Sequence, residues 1–386
     1  MTNPFSAEER KEFLKRGFTR RSFGRMATLV TAGATLPFYN EFALAQQAQR
    51  RMMPRFEIPP DAVLINANEN PLGPCAEALE AIYSVAKKCG RYMWQETGAF
   101  QQTSAQVAGL KPDYVTPYAG SSDPLHRTVL AFCSPTKGFV MGDPGYEAGG
   151  RAAEFIGAKI TRVPLRKDYS HDVQEMVKAD PNAGVIYICN PNNPSGTLTS
   201  RADIEYLLAN KPAGSILLLD EAYIHFSNAA SGSELVAADK DLIVLRTFSK
   251  AYGMAGLRAG LAMGRPDLLA KLGPWGAGMM PATGMAGATA SMKVANLVSE
   301  RRRINKEIRE DVLSFLTEHN ISFIPSESNK FMMDVKRPGM EFAKAMMAEK
   351  VFVGRVWKIW PNHVRVTVGL REEMEKFKQA VLKVMA

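Results

Sequence analysis

From about residue 112 the chain alternates short apolar runs with longer amphipathic segments, and this alternation limits its possible folds more than any other feature. Apolar runs bounded by turn residues predict strands, and they span residues 115–118, 139–141, 159–163, 185–189, 216–219, 242–245 and 257–263. Segments with helical spacing lie between them, among them 125–133, 172–179 and 202–209. Several predicted strands are apolar at every position, which indicates a mostly parallel sheet covered on both faces. The sequence therefore predicts an α/β fold with a mostly parallel central sheet.

A stretch rich in glycine and proline, at residues 273–281, predicts a domain boundary. Beyond it, a long charged helical region at 286–319 leads into a mixed β/α tail that ends in a helix at 374–385. We therefore predict four parts in chain order: a leader at 1–45, an arm at 46–74, a large domain at 75–280 and a smaller α/β C-terminal domain at 281–386.

The leader differs in kind from the rest of the chain. Paired arginines, Arg20 and Arg21, precede a weakly apolar run of 13 residues at 26–38. That run is too short to cross a bilayer, which needs about 20 residues, so we predict no stable membrane insertion. The sequence Ala-Leu-Ala that ends at Ala45 has the pattern of a signal-peptidase site. Together these features are similar to a twin-arginine signal, which predicts export by the twin-arginine translocation machinery, cleavage after Ala45 and a periplasmic location.

Charge and cysteine content argue against several other classes of protein. The 48 Lys and Arg against 39 Asp and Glu give a net charge of +9, but both signs are mixed along the chain, which argues against a nucleic-acid groove. Four cysteines in 386 residues cannot form a disulfide framework, although a Cys75–Cys89 bridge stays open in an oxidising compartment. The five histidines are scattered, and no metal site is predicted.

Polar residues follow the carboxyl ends of four predicted strands, where ligands bind in an open α/β sheet. The helix start at Ser121 and Ser122 suits a phosphate group, because its backbone N–H groups are free to bind an anion. The other three strands are followed by Asn190 to Gly196 (NPNNPSG), by Asp220 to Tyr223 (DEAY) and by Arg246 to Lys250 (RTFSK), with Arg258 a little further on. We expect these loops to meet at one ligand site.

In this order and at these spacings, NPNNPSG, DEAY and FSKAYGMAGLRAG resemble the motifs of the fold-type I, class I/II aminotransferases, which use pyridoxal 5′-phosphate. NANENPLGP at 66–74 and RVTVG at 365–369 are similar to the branch that contains histidinol-phosphate aminotransferase. The resemblance runs from about residue 60 to the C-terminus. It implies a large cofactor domain, a smaller C-terminal domain, and an enzyme that moves an amino group between an amino acid and a 2-oxo acid.

The resemblance also implies a role for each site residue. Lys250 would bind the cofactor's aldehyde covalently and then move a proton at the substrate. Asp220 would keep the pyridine nitrogen protonated, and Tyr223 and Asn193 would donate to the phenolate oxygen. The other implied cofactor residues are Tyr146, stacked on the ring, the phosphate donors Ser121, Ser122, Ser249 and Arg258 with Thr247 as a further donor, and Tyr92, which would reach the phosphate of the partner in a homodimer.

The sequence leaves alternatives open for the residues that bind the substrate and for the type of reaction. Arg365 matches the family arginine that binds the substrate's α-carboxylate. Arg355 and Trp360 lie in an aromatic-rich stretch that would either line a pocket for an aromatic or charged side chain or form a lid on the small domain. An oxidase, lyase or decarboxylase on the same cofactor scaffold is the alternative enzyme, and a non-catalytic relative is disfavoured by the intact Lys250 and Asp220. Because histidine biosynthesis is cytoplasmic, the export signal argues against a role in it.

Overall fold

The computed structural model of the protein describes residues 7–19, 41, 44–47, 58–276 and 278–385. Its strands are β1 (Val63–Ile65), β2 (Val115–Tyr118), β3 (Gly138–Asp143), β4 (Ile160–Pro164), β5 (Ala183–Cys189), β6 (Ile216–Asp220), β7 (Leu242–Thr247), β8 (Gly260–Gly264), β9 (Phe323–Ile324), β10 (Lys330–Asp334), β11 (Val351–Val353) and β12 (His363–Thr367). Its α-helices are α1 (Ala7–Lys15), α2 (Ala76–Ala86), α3 (Trp94–Ala108), α4 (Ser122–Phe132), α5 (Ala148–Phe155), α6 (Val173–Lys178), α7 (Arg201–Asn210), α8 (Ser233–Ala237), α9 (Pro266–Ala270), α10 (Ala282–Lys293), α11 (Leu297–Glu318), α12 (Gly339–Ala348) and α13 (Arg371–Met385).

The main sheet has the order β2-β8-β7-β6-β5-β3-β4 within the described residues. Its strands run parallel except β8, which is antiparallel to both of its neighbours. Every residue of β5 and β6 is buried, because helices and loops cover both faces of the sheet. The predicted α/β architecture with a mostly parallel central sheet is confirmed.

Two predicted elements were wrong in detail. The strand predicted from residue 257 begins at Gly260, because Arg258 has a left-handed backbone with a φ of 55° that interrupts extended structure. The single helical region predicted at 286–319 is two helices, α10 and α11. The break falls at Val294, which has an extended backbone, as suits a β-branched residue.

A second, smaller core lies around two short sheets. One sheet is antiparallel with the order β12-β10-β9, and the other pairs β1 in parallel with β11. Side chains from these strands pack with α11, α12 and α13. The arm therefore contributes Val63 and Ile65 to the smaller core, whereas α10 packs on α2 and α3 and contributes Met285 and Ala288 to the larger one. The predicted boundaries at residues 45/46, 74/75 and 280/281 stay predictions.

Part of the predicted leader lies on the larger core. Phe13 of α1 packs edge-on against Trp275, with 5.6 Å between the ring centroids. Arg16 Nη2 lies 3.0, 2.9 and 2.8 Å from the carbonyl oxygens of Leu130, Ala131 and Cys133, at the C-terminal end of α4. These carbonyls have no partner within their own helix, so the guanidinium caps α4.

The features that predict export fall mostly beyond these contacts. Arg20, Arg21, the apolar run at 26–38 and Ala43 lie outside the described residues. Leu44 and Ala45 are described, and both are buried. Among the described helices, none has the length and apolar character that crossing a membrane requires.

Candidate active site

A cavity of about 290 Å³ opens at the carboxyl ends of the parallel strands. All predicted cofactor residues except Tyr92 line it, namely Ser121, Ser122, Tyr146, Asn193, Asp220, Tyr223, Thr247, Ser249, Lys250 and Arg258. We call the part of the wall formed by Ser121, Ser122, Asp220, Ser249, Lys250 and Arg258 the cofactor end. The fold thus brings together the loops that the sequence predicts to meet.

Lys250 is buried in the loop that follows β7. Its Nζ donates to the carbonyl oxygen of Ala67 at 3.3 Å. Burial lowers the pKa of Lys250, the charge of Glu41 raises it and that of Arg365 lowers it, which leaves the pKa at about 8. A buried amine that gives up its proton near neutral pH is a nucleophile for an aldehyde and a base for a carbon acid.

Asp220 ends β6 and is buried at the floor of the cavity. Its Oδ2 accepts a hydrogen bond from Tyr187 Oη at 2.9 Å, and its Oδ1 accepts one from the Ala222 N–H at 3.1 Å. Burial raises the pKa of Asp220 to about 6, although these hydrogen bonds pull it the other way. Among the described residues Asp220 has no ion-pair partner, so this carboxylate suits a cationic ring nitrogen.

Arg258 and the start of α4 form an anion site at the other side of the cofactor end. Arg258 Nη1 and Nη2 donate to the carbonyls of Ala255 and Ala119 at 3.0 and 3.2 Å, and the guanidinium makes no ion pair with a described carboxylate. A Cβ on Gly120 would collide with that guanidinium. The hydroxyls of Ser121, Ser122 and Ser249 and the N–H groups that open α4 surround the same space, so the donor set fits a phosphate.

Tyr223, Asn193 and Tyr146 complete the ring site. Tyr223 Oη accepts a hydrogen bond from Asn68 Nδ2 at 2.9 Å. Tyr146 is buried in the wall of the cavity. Thr247 lines the cavity too, and its hydroxyl donates to Ser249 Oγ at 2.9 Å.

Arg365 lies on β12 and is fully buried, at 0% exposure. Its Nη1 donates to Asn193 Oδ1 at 2.9 Å, and its Nη2 donates at 2.7 Å to both the Asn66 carbonyl and Glu41 Oε1. Arg355 Nη1 donates to both oxygens of Glu147, at 3.1 and 3.0 Å. We call Asn193, Arg355, Arg365 and Glu41 the clamp end. Asn193 and Glu41 line the cavity, whereas Arg355 and Arg365 are not among its described lining residues and contact Glu41 from behind the wall. The clamp end holds two guanidinium groups and a bound carboxylate.

Two of the predicted site residues belong neither to the described wall of the cavity nor to the clamp end. Tyr92 is 74% exposed, contacts Trp94 and is not among the described residues that line the cavity. Trp360 packs against Tyr169 and His363, with 5.6 Å between ring centroids in each case, and is likewise absent from the described wall. Their roles at the partner's phosphate and at the substrate stay predictions, as do the chemical roles of the other site residues.

Three site residues were not predicted. Asn68 lies within the NANENP motif and has a left-handed backbone with a φ of 55°, which few residues other than glycine adopt. Lys330 is fully buried, donates to Ser328 Oγ at 2.8 Å, and lies 3.2 Å from the centroid of the Tyr223 ring. Burial lowers the pKa of Lys330 well below its usual value. Glu41 comes from the predicted leader. Lys330 and Glu41 belong to no recognisable motif, so nothing in the sequence indicated that they lie at the site.

Comparisons with known proteins decide the family. The family model "Aminotransferase class I and II" matches residues 60–381. This chain belongs to the class I and II aminotransferases. The aminotransferase is 32% identical to histidinol-phosphate aminotransferase 2 of Pseudomonas fluorescens, over 85% of this chain and 90% of that protein. It is also 32% identical to histidinol-phosphate aminotransferase 1 of Nitrosococcus oceani, over 84% of this chain and 89% of that protein.

Solved structures agree with this assignment. A putative histidinol-phosphate aminotransferase from Erwinia carotovora atroseptica is 28% identical, with a TM-score of 0.81 over 85% of this chain and 98% of that one. Histidinol-phosphate aminotransferase of Sinorhizobium meliloti, solved with pyridoxal-5′-phosphate, shares the fold at 24% identity, with a TM-score of 0.78 over 91% and 95% of the two chains. The enzyme is therefore a pyridoxal-phosphate-dependent aminotransferase of fold type I, and its cofactor end has the donors that this cofactor requires.

Proposed function

We propose that this aminotransferase moves an amino group between an amino acid and a 2-oxo acid in the periplasm, after export along the twin-arginine route. The observation that supports the reaction is the shared cavity. Lys250 lies at one end, and the buried guanidinium of Arg365 lies behind the other end with a carboxylate already bound to it. Amino acids and 2-oxo acids have in common a carboxylate beside the reacting carbon, and a buried amine and a guanidinium at one cavity are the groups that such a molecule needs.

The protein's own groups have separate tasks in this reaction. When bound, the cofactor supplies an acceptor for the electron pair released at the substrate's α-carbon. Lys250 would take the proton from that carbon as a general base and return it as a general acid, which its lowered pKa favours. Asp220 would hold a proton on the ring nitrogen, and Tyr223 and Asn193 would donate to the ring's oxygen. Arg365 would bind the α-carboxylate and so orient the carbon towards Lys250.

The reaction can be tested by products. The purified protein is incubated with pooled amino acids, with and without added 2-oxo acids, while new amino acids, ammonia and oxygen are followed. We expect new amino acids only when a 2-oxo acid is present, with no ammonia released and no oxygen consumed. Release of ammonia or consumption of oxygen would instead favour the lyase or oxidase alternative on the same scaffold.

Export rests on the sequence of the leader alone. Replacing Arg20 and Arg21 with lysines should leave the precursor in the cytoplasm, and the exported form should begin at Gln46. Fractionation with N-terminal sequencing measures both. Recovery of the double-lysine variant from the periplasm would contradict the twin-arginine assignment.

We further propose a homodimer in which Tyr92 reaches the partner's phosphate. Tyr92, Trp94 and Tyr83 are large aromatic residues that the single chain leaves exposed. Exposed aromatic side chains are enriched at protein interfaces. Sedimentation of the protein at assay concentrations should give a dimer, and a fully active monomer would contradict the proposal.

A further inference from the structure

Glu41 occupies the clamp end as a ligand would. Its Oε1 accepts from Arg365 Nη2 at 2.7 Å, and its Oε2 accepts from Asn193 Nδ2 at 3.1 Å and from Arg355 Nη2 at 3.3 Å. The side chain is only 12% exposed. Both carboxylate oxygens are therefore used, and two of the three donors belong to Arg365 and Asn193, which the proposed function needs.

The charges at the clamp end explain why a carboxylate binds there. The other described partners of Arg365, the Asn193 side chain and the Asn66 carbonyl, are neutral. Burying a guanidinium without an anion is unfavourable, so Arg365 needs a carboxylate. Arg355 differs, because Glu147 already pairs with it through both oxygens. Burial raises the pKa of Glu41, but the charges of Arg355 and Arg365 outweigh burial and bring the pKa to about 2.

The chain holds Glu41 in place by contacts on both sides of it. Leu44 is 2% exposed and belongs to the larger core, and Ala45 is buried beside it. On the N-terminal side, α1 is held by Phe13 and Arg16. A tethered group of this kind competes at an effective concentration in the millimolar range. A free substrate therefore has to displace a carboxylate that is always nearby.

We propose that Glu41 is an internal ligand of the carboxylate clamp, which keeps amino acids and 2-oxo acids out of the full-length enzyme. The inference rests on the proposed role of Arg365 and adds a regulatory step to it. Hydrolysis of the peptide bond after Ala45, in which water adds across that bond, would separate Glu41 from the enzyme. Processing of the leader would then open the clamp, so the precursor is the restrained form and the processed enzyme is the active one.

The test compares full-length holoenzymes that differ at one carboxylate. Glu41→Gln removes the charge and keeps the size, and Glu8→Gln, on the exposed face of α1, is the matched control. Pyruvate and phenylpyruvate are the probes, and calorimetry gives their dissociation constants without turnover. We expect both probes to bind Glu41→Gln about 10- to 100-fold more tightly than wild type, because a charge-assisted competitor is lost. Glu8→Gln should match wild type.

Further variants connect the effect to the clamp. In an Arg365→Ala background most of the gain from Glu41→Gln should be lost, because Glu41 and the probe's carboxylate compete for Arg365. Glu41→Asp, which keeps the charge on a shorter side chain, should fall between wild type and Glu41→Gln. Amide hydrogen exchange at residues 44–47 should speed up in Glu41→Gln even without a probe.

Two results would overturn the inference and can be told apart. Equal affinity of wild type and Glu41→Gln for both probes, or an equal gain in Glu8→Gln, would contradict the internal ligand and leave the clamp intact. If neither probe binds any of the proteins, or if Glu41→Gln combined with Arg365→Ala binds both probes as well as Glu41→Gln alone does, the proposed carboxylate role of Arg365 fails, and the internal ligand fails with it.

Discussion

At the cofactor end every polar side chain lies at the same edge of the main sheet, whereas the clamp end is assembled from distant parts of the chain. Asp220 ends β6, Lys250 follows β7, and Arg258 comes just before β8. At the clamp end, Asn193 follows β5, but Arg365 comes from β12 in the smaller core and Glu41 comes from the N-terminal segment. The cofactor end therefore needs only one packed sheet, while the clamp end needs two cores and a tethered segment to be in place.

This difference separates two kinds of function. Groups fixed to one rigid sheet hold a cofactor in constant geometry, as preorganised catalysis requires. Groups that come from separate parts of the fold can be rearranged, so binding at the clamp end can be regulated while the positions of the groups at the cofactor end stay the same. Variants at the two ends should consequently fail in different ways.

The largest effect should come from the cofactor end. Lys250→Ala should lose the covalent link to the cofactor and lower turnover by more than about 1000-fold, since nucleophile and general base are removed together. Borohydride reduction followed by peptide mapping should find pyridoxyl on Lys250 in wild type. Lys240→Ala, at an exposed lysine, is the control and should behave as wild type does. A variant that keeps full turnover without Lys250 would contradict the assignment.

At the clamp end the loss should be smaller and uniform. In the processed enzyme, which lacks Glu41, Arg365→Ala removes a charge-assisted contact to a group that all substrates share, at about 2–4 kcal/mol, so kcat/KM should fall by roughly 30- to 1000-fold for every substrate. Steady-state kinetics on several amino acids measures this, with Arg371→Ala, at an exposed position, as the control. If the loss is confined to one side chain, Arg355 becomes the candidate for the α-carboxylate.

The pH dependence of cofactor binding tests whether the charge of Glu41, at the clamp end, raises the pKa of Lys250 at the cofactor end. Only the neutral amine attacks an aldehyde, so reassociation of the cofactor with the apoprotein should slow about tenfold per pH unit below the pKa of about 8 and level off above it. Because the charge of Glu41 raises the pKa of Lys250, Glu41→Gln should move the break to lower pH. Stopped-flow absorbance from pH 6 to 10 gives the profile. A break near 10.5, the usual value, would mean that the amine is not buried.

Tyr92→Phe should have an effect of about tenfold on cofactor retention, the size expected for one hydrogen bond to a charged group. The phenol is exposed in the single chain, so this effect requires the partner subunit. Dialysis against buffer, followed by cofactor absorbance, measures the retention, and Tyr83→Phe is an exposed control. Loss of cofactor at the same rate in wild type and Tyr92→Phe would contradict a shared phosphate site.

The smallest effect is expected at Trp360. Its ring packs on Tyr169 and His363, so Trp360→Ala should lower kcat/KM by about threefold or less, and equally for all substrates. Kinetics with alanine, phenylalanine and glutamate as amino donors would show this. A changed ranking among these three would instead support the sequence prediction that Trp360 lines the substrate pocket.

The sequence predicted which loops meet at the cofactor end, because these loops directly follow apolar strands that are easy to recognise. Asp220 and Lys250 needed only the strand ends and the motif order. The clamp end was harder, since nothing local in the sequence says that residue 41 reaches Arg365. Lys330 was missed for a related reason, because a single lysine on a short strand reads as a surface residue until the fold buries it beneath Tyr223.

The contact between Arg16 and α4 affects the thermal stability of the protein before and after the leader is removed. The same helix lines the candidate phosphate site with its first turn and presents its last carbonyls to the predicted leader. Removal of the leader would return those carbonyls to water and expose the face of Trp275 that Phe13 covers. Loss of a capping interaction at a helix end reduces stability by roughly 0.3–1.5 kcal/mol. The precursor should therefore have a higher melting temperature than the processed enzyme. The leader would stabilise the fold while the chain folds and would be absent from the processed enzyme.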